Sequence, residues 1–99
     1  MVQLIALYRK PPDPEDFLRR YRGEHLPLAR QMPGLLKIEA GLLEGVGSDA
    51  PYWYMATLSF ADRASLEESQ RADVSRQAAR VLFSFAKGLV DFTVREVEE

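Results

Sequence analysis

The sequence predicts an α+β fold, a four-stranded antiparallel sheet with helices over one face. Three observations carry this. Segments read strand, helix, strand, strand, helix, strand along the chain. The later strand candidates alternate between an apolar and a mixed set of side chains. The helix candidates begin at acidic residues and end at proline or glycine. At 99 residues the chain is one domain, 1–99, large enough for a core without covalent staples.

Val2 to Arg9, "VQLIALYR", is apolar, rich in strand formers and stopped by Lys10-Pro11-Pro12. Asp13, Pro14, Glu15 and Asp16 then make a helix start. They supply an N-cap acid, a proline at the first helical position, and acids against the positive end of the dipole. The helix carries Phe17, Leu18 and Tyr21 before Gly23. Pro27 removes a backbone donor, so a kink or restart is expected near Glu24, and Pro33-Gly34 end the helix.

Leu35 to Glu44 reads as the second strand, Gly45 to Pro51 as a loop, and Tyr52 to Phe60, "YWYMATLSF", as the clearest strand. Asp62 caps a short helix running to about Gln70. Asp73 is expected to cap another, with Val74, Ala78, Val81, Leu82 and Phe85 at helical spacing. Gly88 closes it, and Leu89 to Val97 is the last strand. This order is the ferredoxin-like split βαβ pattern.

One set of alternating strand positions is almost wholly apolar: Leu36, Ile38, Ala40, Leu42, Tyr54, Ala56, Leu58, Phe60, Val90, Phe92 and Val94. It is assigned to the helices. The other set holds Lys37, Glu39, Gly41, Trp53, Met55, Thr57, Ser59, Asp91, Thr93 and Arg95, joined by Gln3, Ile5 and Leu7. A solvated sheet face is one reading of it. The other is a homodimer through this face, because Trp53, Met55, Ile5 and Leu7 would form a larger apolar patch than monomers usually expose. Two such sheets can close a joint barrel with a semi-polar interior.

Composition excludes several classes. There is no cysteine, hence no disulfide framework or thiolate chemistry, and one histidine excludes a histidine-rich metal site within one chain. A net charge of −2 with interspersed signs argues against nucleic acid as a partner. No apolar run approaches the roughly 20 residues of a membrane span, and "MVQLIALYRK" lacks a signal-peptide pattern. The expectation is a soluble cytoplasmic protein with no membrane partner. No catalytic triad, phosphate loop or metal motif is present.

The run "LIALYRKPPDPEDFLRRYRGEHLPLARQMPGL" resembles the EthD family of the dimeric α+β-barrel superfamily. The likeness rests on the strand ending in Tyr8-Arg9-Lys10, the "PDPEDF" helix start, and the spacing of Tyr21, His25, Pro27 and Leu28. The "PYWYMATLSF" strand before an acid-capped helix also fits. The resemblance implies a homodimer, a small-molecule pocket between sheet and helices or inside the joint barrel, and an association with ethyl tert-butyl ether degradation. It also implies chemistry without metal or flavin, of the monooxygenase, decarboxylase, dehydratase, cyclase or isomerase kind.

His25 sits on a stripe with Phe17, Tyr21, Leu28 and Met32 at helical spacing, beside the expected kink. Three roles stay open. It could be a half-buried ring bonded to a backbone carbonyl, a general acid or base titrating in the neutral range, or a haem ligand. Tyr8, Tyr21, Tyr52 and Tyr54 could each donate to a developing oxyanion, Tyr21 and Tyr54 being also core candidates, and Tyr8 is the catalytic candidate beside His25. Candidate substrate contacts are Tyr21, Trp53, Glu39 and Met55. Tyr21 is also a core candidate, Trp53 also a dimer contact, and Glu39 also a cross-strand partner of Arg95. The expected ligand is a small, mostly apolar, oxygen-bearing molecule, with no cofactor. The alternative is a non-catalytic ligand-binding or stress-associated dimer.

Overall fold

The computed structural model describes residues 1–98. β1 (Val2–Tyr8) leads into α1 (Pro14–Arg20), a π-helical turn (Tyr21–His25) and α2 (Leu26–Ala29). β2 (Lys37–Leu42) and β3 (Tyr54–Phe60) follow, then α3 (Arg63–Gln70), α4 (Asp73–Ala86) and β4 (Val90–Glu96). The sheet order is β2-β3-β1-β4, with every neighbouring pair antiparallel. This is the α+β, ferredoxin-like arrangement that the element order predicts.

Local signals act where the sequence places them. The Asp13 carboxylate accepts the Asp16 N–H at the start of α1, and the Asp62 carboxylate accepts the Ser65 N–H at the start of α3. Each satisfies a donor that a helix end otherwise leaves orphaned. Gly34 and Gly88 adopt φ of +79° and +80° where the chain turns back into β2 and β4, a conformation other residues rarely take. Asp73 does not cap α4. Ala72 is its N-cap, and Asp73 is the first helical residue, its carboxylate turned along the surface toward Arg76.

The core lies between the helices and the central strands. Val2, Ala6 and Tyr8 on β1 and Tyr54, Ala56, Leu58 and Phe60 on β3 are buried, in the register that sets Tyr8 opposite Tyr54 and Ala6 opposite Ala56. Phe17 meets Tyr8 and Phe85 edge-on at 5.4 Å each, favoured aromatic geometries. Its near-complete burial contributes roughly 2–3 kcal/mol.

The edge strands are covered less. Phe92 and Val94 share the helix side with Ala6 and Leu4 by register, yet are 47% and 36% exposed. The helices centre over β1 and β3, so β4 projects past them. Leu36 and Leu42 are exposed at the opposite edge for the same reason.

The helix stripe on α4 keeps Ala78 and Leu82 of the expected set and differs in the rest. Its buried residues are Ser75, Ala78, Leu82 and Ala86, while Val74, Val81 and Phe85 flank them half-buried. Three of the four inward side chains, Ser75, Ala78 and Ala86, are small.

Candidate functional site

Position 25 is set by the helix interruption. Tyr21 to His25 form a π turn closed by the Leu26 N–H donating to the Tyr21 carbonyl, a bond spanning five residues instead of four. Pro27 follows directly and has no N–H to offer. The interruption therefore lies where the proline predicts it, as an inserted π turn. Gly23 is not needed for space, since a Cβ there would meet nothing within 4 Å. The π turn leaves Tyr21 and His25 both buried, with ring centroids 5.1 Å apart.

His25 is 7% exposed, and its Nδ1 lies 2.9 Å from the carbonyl oxygen of Ala78 on α4. A carbonyl only accepts, so Nδ1 carries the proton and donates it. Burial pushes the ring's pKa below 6.5, against the smaller opposing pull of the Ala78 carbonyl. The ring is therefore neutral at pH 7, and Nε2 keeps its lone pair. Backbone anchoring of one nitrogen leaves the other free to act.

His25 lines a cavity of about 60 Å³ between α4 and the sheet, together with Tyr8, Tyr21, Met32, Ser75, Leu82 and Phe92. An apolar cavity of roughly 150 Å³ accepts benzene, so at about 60 Å³ even a single ring here must extend out through the opening. Among the described residues, no Asp, Glu, Lys or Arg lines it. The Tyr8 and Tyr21 phenols are both held far above the usual phenol range, chiefly by burial and next by neighbouring phenols. They stay protonated and can act as donors. The wall thus combines two phenols, one free imidazole nitrogen and mostly apolar surface.

The six candidate residues do not form one site. Tyr8, Tyr21 and His25 come together in this cavity. Glu39 and Met55 lie on the opposite, open face of the sheet, in a depression shared with Gln3, Thr57 and Arg95. Trp53 joins neither group. Its ring meets Phe17 edge-on at 5.8 Å and lies 5.8 Å from Tyr54, on the helix side of the sheet. That corrects its assignment to the mixed face. Strict alternation begins only within β3, and Trp53 precedes it.

Glu39 and Arg95 do not pair, because β3 and β1 separate their strands. Glu39 pairs instead with Lys37 at 3.5 Å, and the Arg95 Nε donates to Gln3 Oε1 at 3.0 Å. Gln3 Nε2 in turn donates to Ser59 Oγ at 3.2 Å, so a polar chain crosses three strands. Ile5, Leu7 and Met55 are half-buried on this face, less open than the sequence implies.

The Ala78 carbonyl as the partner of His25 and the Ser75 and Ala79 part of the wall were not legible from the sequence, whereas Leu82 is buried as its helical spacing predicts. The sequence signal for Ser75 and Ala79 is a run of small residues on one face of α4.

An EthD family protein from Bacillus halodurans C-125 superimposes with a TM-score of 0.93 at 29% identity, over 99% of both chains. The chain is EthD-like. An uncharacterized 11.0 kDa protein of the thcB-thcC intergenic region of Rhodococcus erythropolis is 27% identical over 99 residues, covering 99% of the EthD-like chain and 96% of the relative. No protein-family model matches. Two further structures share the fold alone. A dimeric ferredoxin-like protein from Jannaschia sp. CCS1 has TM-score 0.74 and 18% identity, covering 98% of the EthD-like chain and 100% of the other. SnoaB, a cofactor-independent oxygenase from Streptomyces nogalater, has TM-score 0.71 and 12% identity, covering 99% and 93%. No described helix of the EthD-like chain is long and apolar enough to cross a membrane.

Proposed function

We propose that this EthD-like protein binds a small, uncharged, mostly apolar, oxygen-bearing molecule against His25, with Nε2 accepting a hydrogen bond or a proton from it. The observation that carries this is a neutral imidazole, tied through Nδ1, on a cavity wall with no charged side chain among the described residues. A charged ligand would lose hydration there and gain no counter-ion. Tyr8 and Tyr21, held protonated, orient the ligand's oxygen as donors. If the bound molecule reacts, the step is proton removal by His25, with the developing oxyanion met by a phenol. The oxygenase on the same fold supports chemistry of this kind as the first class to assay.

The experiment is proton NMR of the His25 ring against phenol, acetophenone and 2-pentanone. The reading expects saturable shifts at His25 that vanish in His25→Gln. A ring that never titrates and ignores every probe sinks it.

We infer further that the open sheet face meets a second copy, an association supported by the dimeric state of the ferredoxin-like neighbour. The Gln3, Met55 and Thr57 depression would then be enclosed between two sheets. The second functional reading is a non-catalytic binding dimer. It is favoured by the His25–Ala78 bond, which gives the ring a structural task whatever it binds.

A further inference from the structure

The cavity is partly open to solvent. Its lining residues are buried or half-buried, except Gln70 at the end of α3, Ala79 on α4 and Phe92 on β4, which are exposed. These three are the exposed part of the lining, one each on α3, α4 and β4. Ser75, Ala79 and Leu82 follow one another at helical spacing on the α4 side. Ala79 contributes only a methyl to that rim, and a longer side chain there would project over the opening. Phe92 forms the facing rim. Its ring meets Phe83 edge-on at 6.2 Å, and Phe83 is itself 44% exposed. One half-exposed ring leaning on another has room to swing, unlike the Tyr8 ring among Phe17, Tyr21 and Tyr54.

We propose that the α4–β4 seam is the entrance to the His25 cavity, and that Ala79 and Phe92 set its width and so select slim, uncharged molecules. The small size of Ala79 and the exposure of Phe92 are then specificity features. The proposal rests on reading the cavity as a ligand site. Its test does not need a ligand to bind.

Diethyl pyrocarbonate acylates unprotonated imidazole nitrogen, and His25 is the only histidine, so ultraviolet difference absorbance follows one site. With Nδ1 donating to Ala78, the reagent must reach Nε2. Phe92→Ala should speed acylation several-fold, and Ala79→Leu should slow it several-fold, with circular dichroism unchanged. Leu26→Ala, which removes bulk on the β2 side of the helices, should leave the rate as it is. Equal rates in both seam variants and the unaltered protein would overturn the proposal. So would an acceleration in Leu26→Ala matching that in Phe92→Ala, since that would mean general loosening. If Ala79→Leu does not fold, Ala79→Val takes its place. Seam-dependent acylation with no response to phenol, acetophenone or 2-pentanone would keep the entrance and remove the ligand reading.

Discussion

His25 on the π turn donates from Nδ1 to the carbonyl of Ala78 on α4, at 2.9 Å. One hydrogen bond thus ties two helical segments together and fixes the tautomer of the imidazole in the cavity.

Removing that bond has a measurable cost. His25→Gln should lower stability by on the order of 1–2 kcal/mol in urea unfolding, the size of one net hydrogen bond plus lost packing. A loss near zero would mean that the ring does not anchor α4.

The same ring makes stability depend on pH. Its folded pKa lies below 6.5, so on acidification the unfolded chain takes up the proton first. Stability is full above the unfolded value and falls as pH drops below it, by at most ~1.4 kcal/mol per pH unit, until the folded ring also protonates. Unfolding curves between pH 7 and pH 5 should slope downward for the unaltered protein and stay nearly flat for His25→Gln.

The phenols predict the alkaline limit. Tyr8 and Tyr21 are both raised from 10.0, first by burial. The unfolded chain gives up these protons near pH 10 while the folded chain keeps them, so stability is full below that pH and falls above it. Spectrophotometric titration should show Tyr8 and Tyr21 ionising only as the protein unfolds. Tyr8→Phe and Tyr21→Phe should each remove one such late step.

Gly23 and Pro27 flank the histidine but do different work. Gly23→Ala meets no steric obstacle and should stabilise by about 0.5–1 kcal/mol through lost backbone entropy in the unfolded chain. Pro27→Ala restores a backbone donor. It should fold, but it should shift the His25 ring resonances as the π turn relaxes. Unchanged His25 resonances in Pro27→Ala would show that the proline does not set the turn.

The open face predicts association. Sedimentation at micromolar concentration should give about twice the single-chain mass. Met55→Glu should weaken the dimer and leave each chain folded. Trp53→Glu should instead destabilise the chain itself, because Trp53 packs on Phe17 rather than on the open face.

Much of the framework was legible in particular residues. Asp13 and Pro14 start α1, Asp62 starts α3, and Gly34 and Gly88 turn the chain into β2 and β4. Pro27 located the helix interruption, and alternation within β3 separated Ala56 and Leu58 from Met55 and Thr57. These features act through one backbone bond, one dihedral or one pleat, so neighbours in sequence decide them.

The site was legible only in part, because tertiary packing decided the rest. Trp53 turned to the helix side because Phe17 offers its ring an edge there. Glu39 and Arg95 fell on strands separated by two others. Small residues on α4 face inward, and the Ala78 carbonyl that fixes the His25 tautomer lies 53 residues along the chain. Which backbone oxygen stands within 3 Å of an imidazole depends on how closely two helical segments pack. That distance is set by summed side-chain volumes across the core, which no local run of sequence encodes.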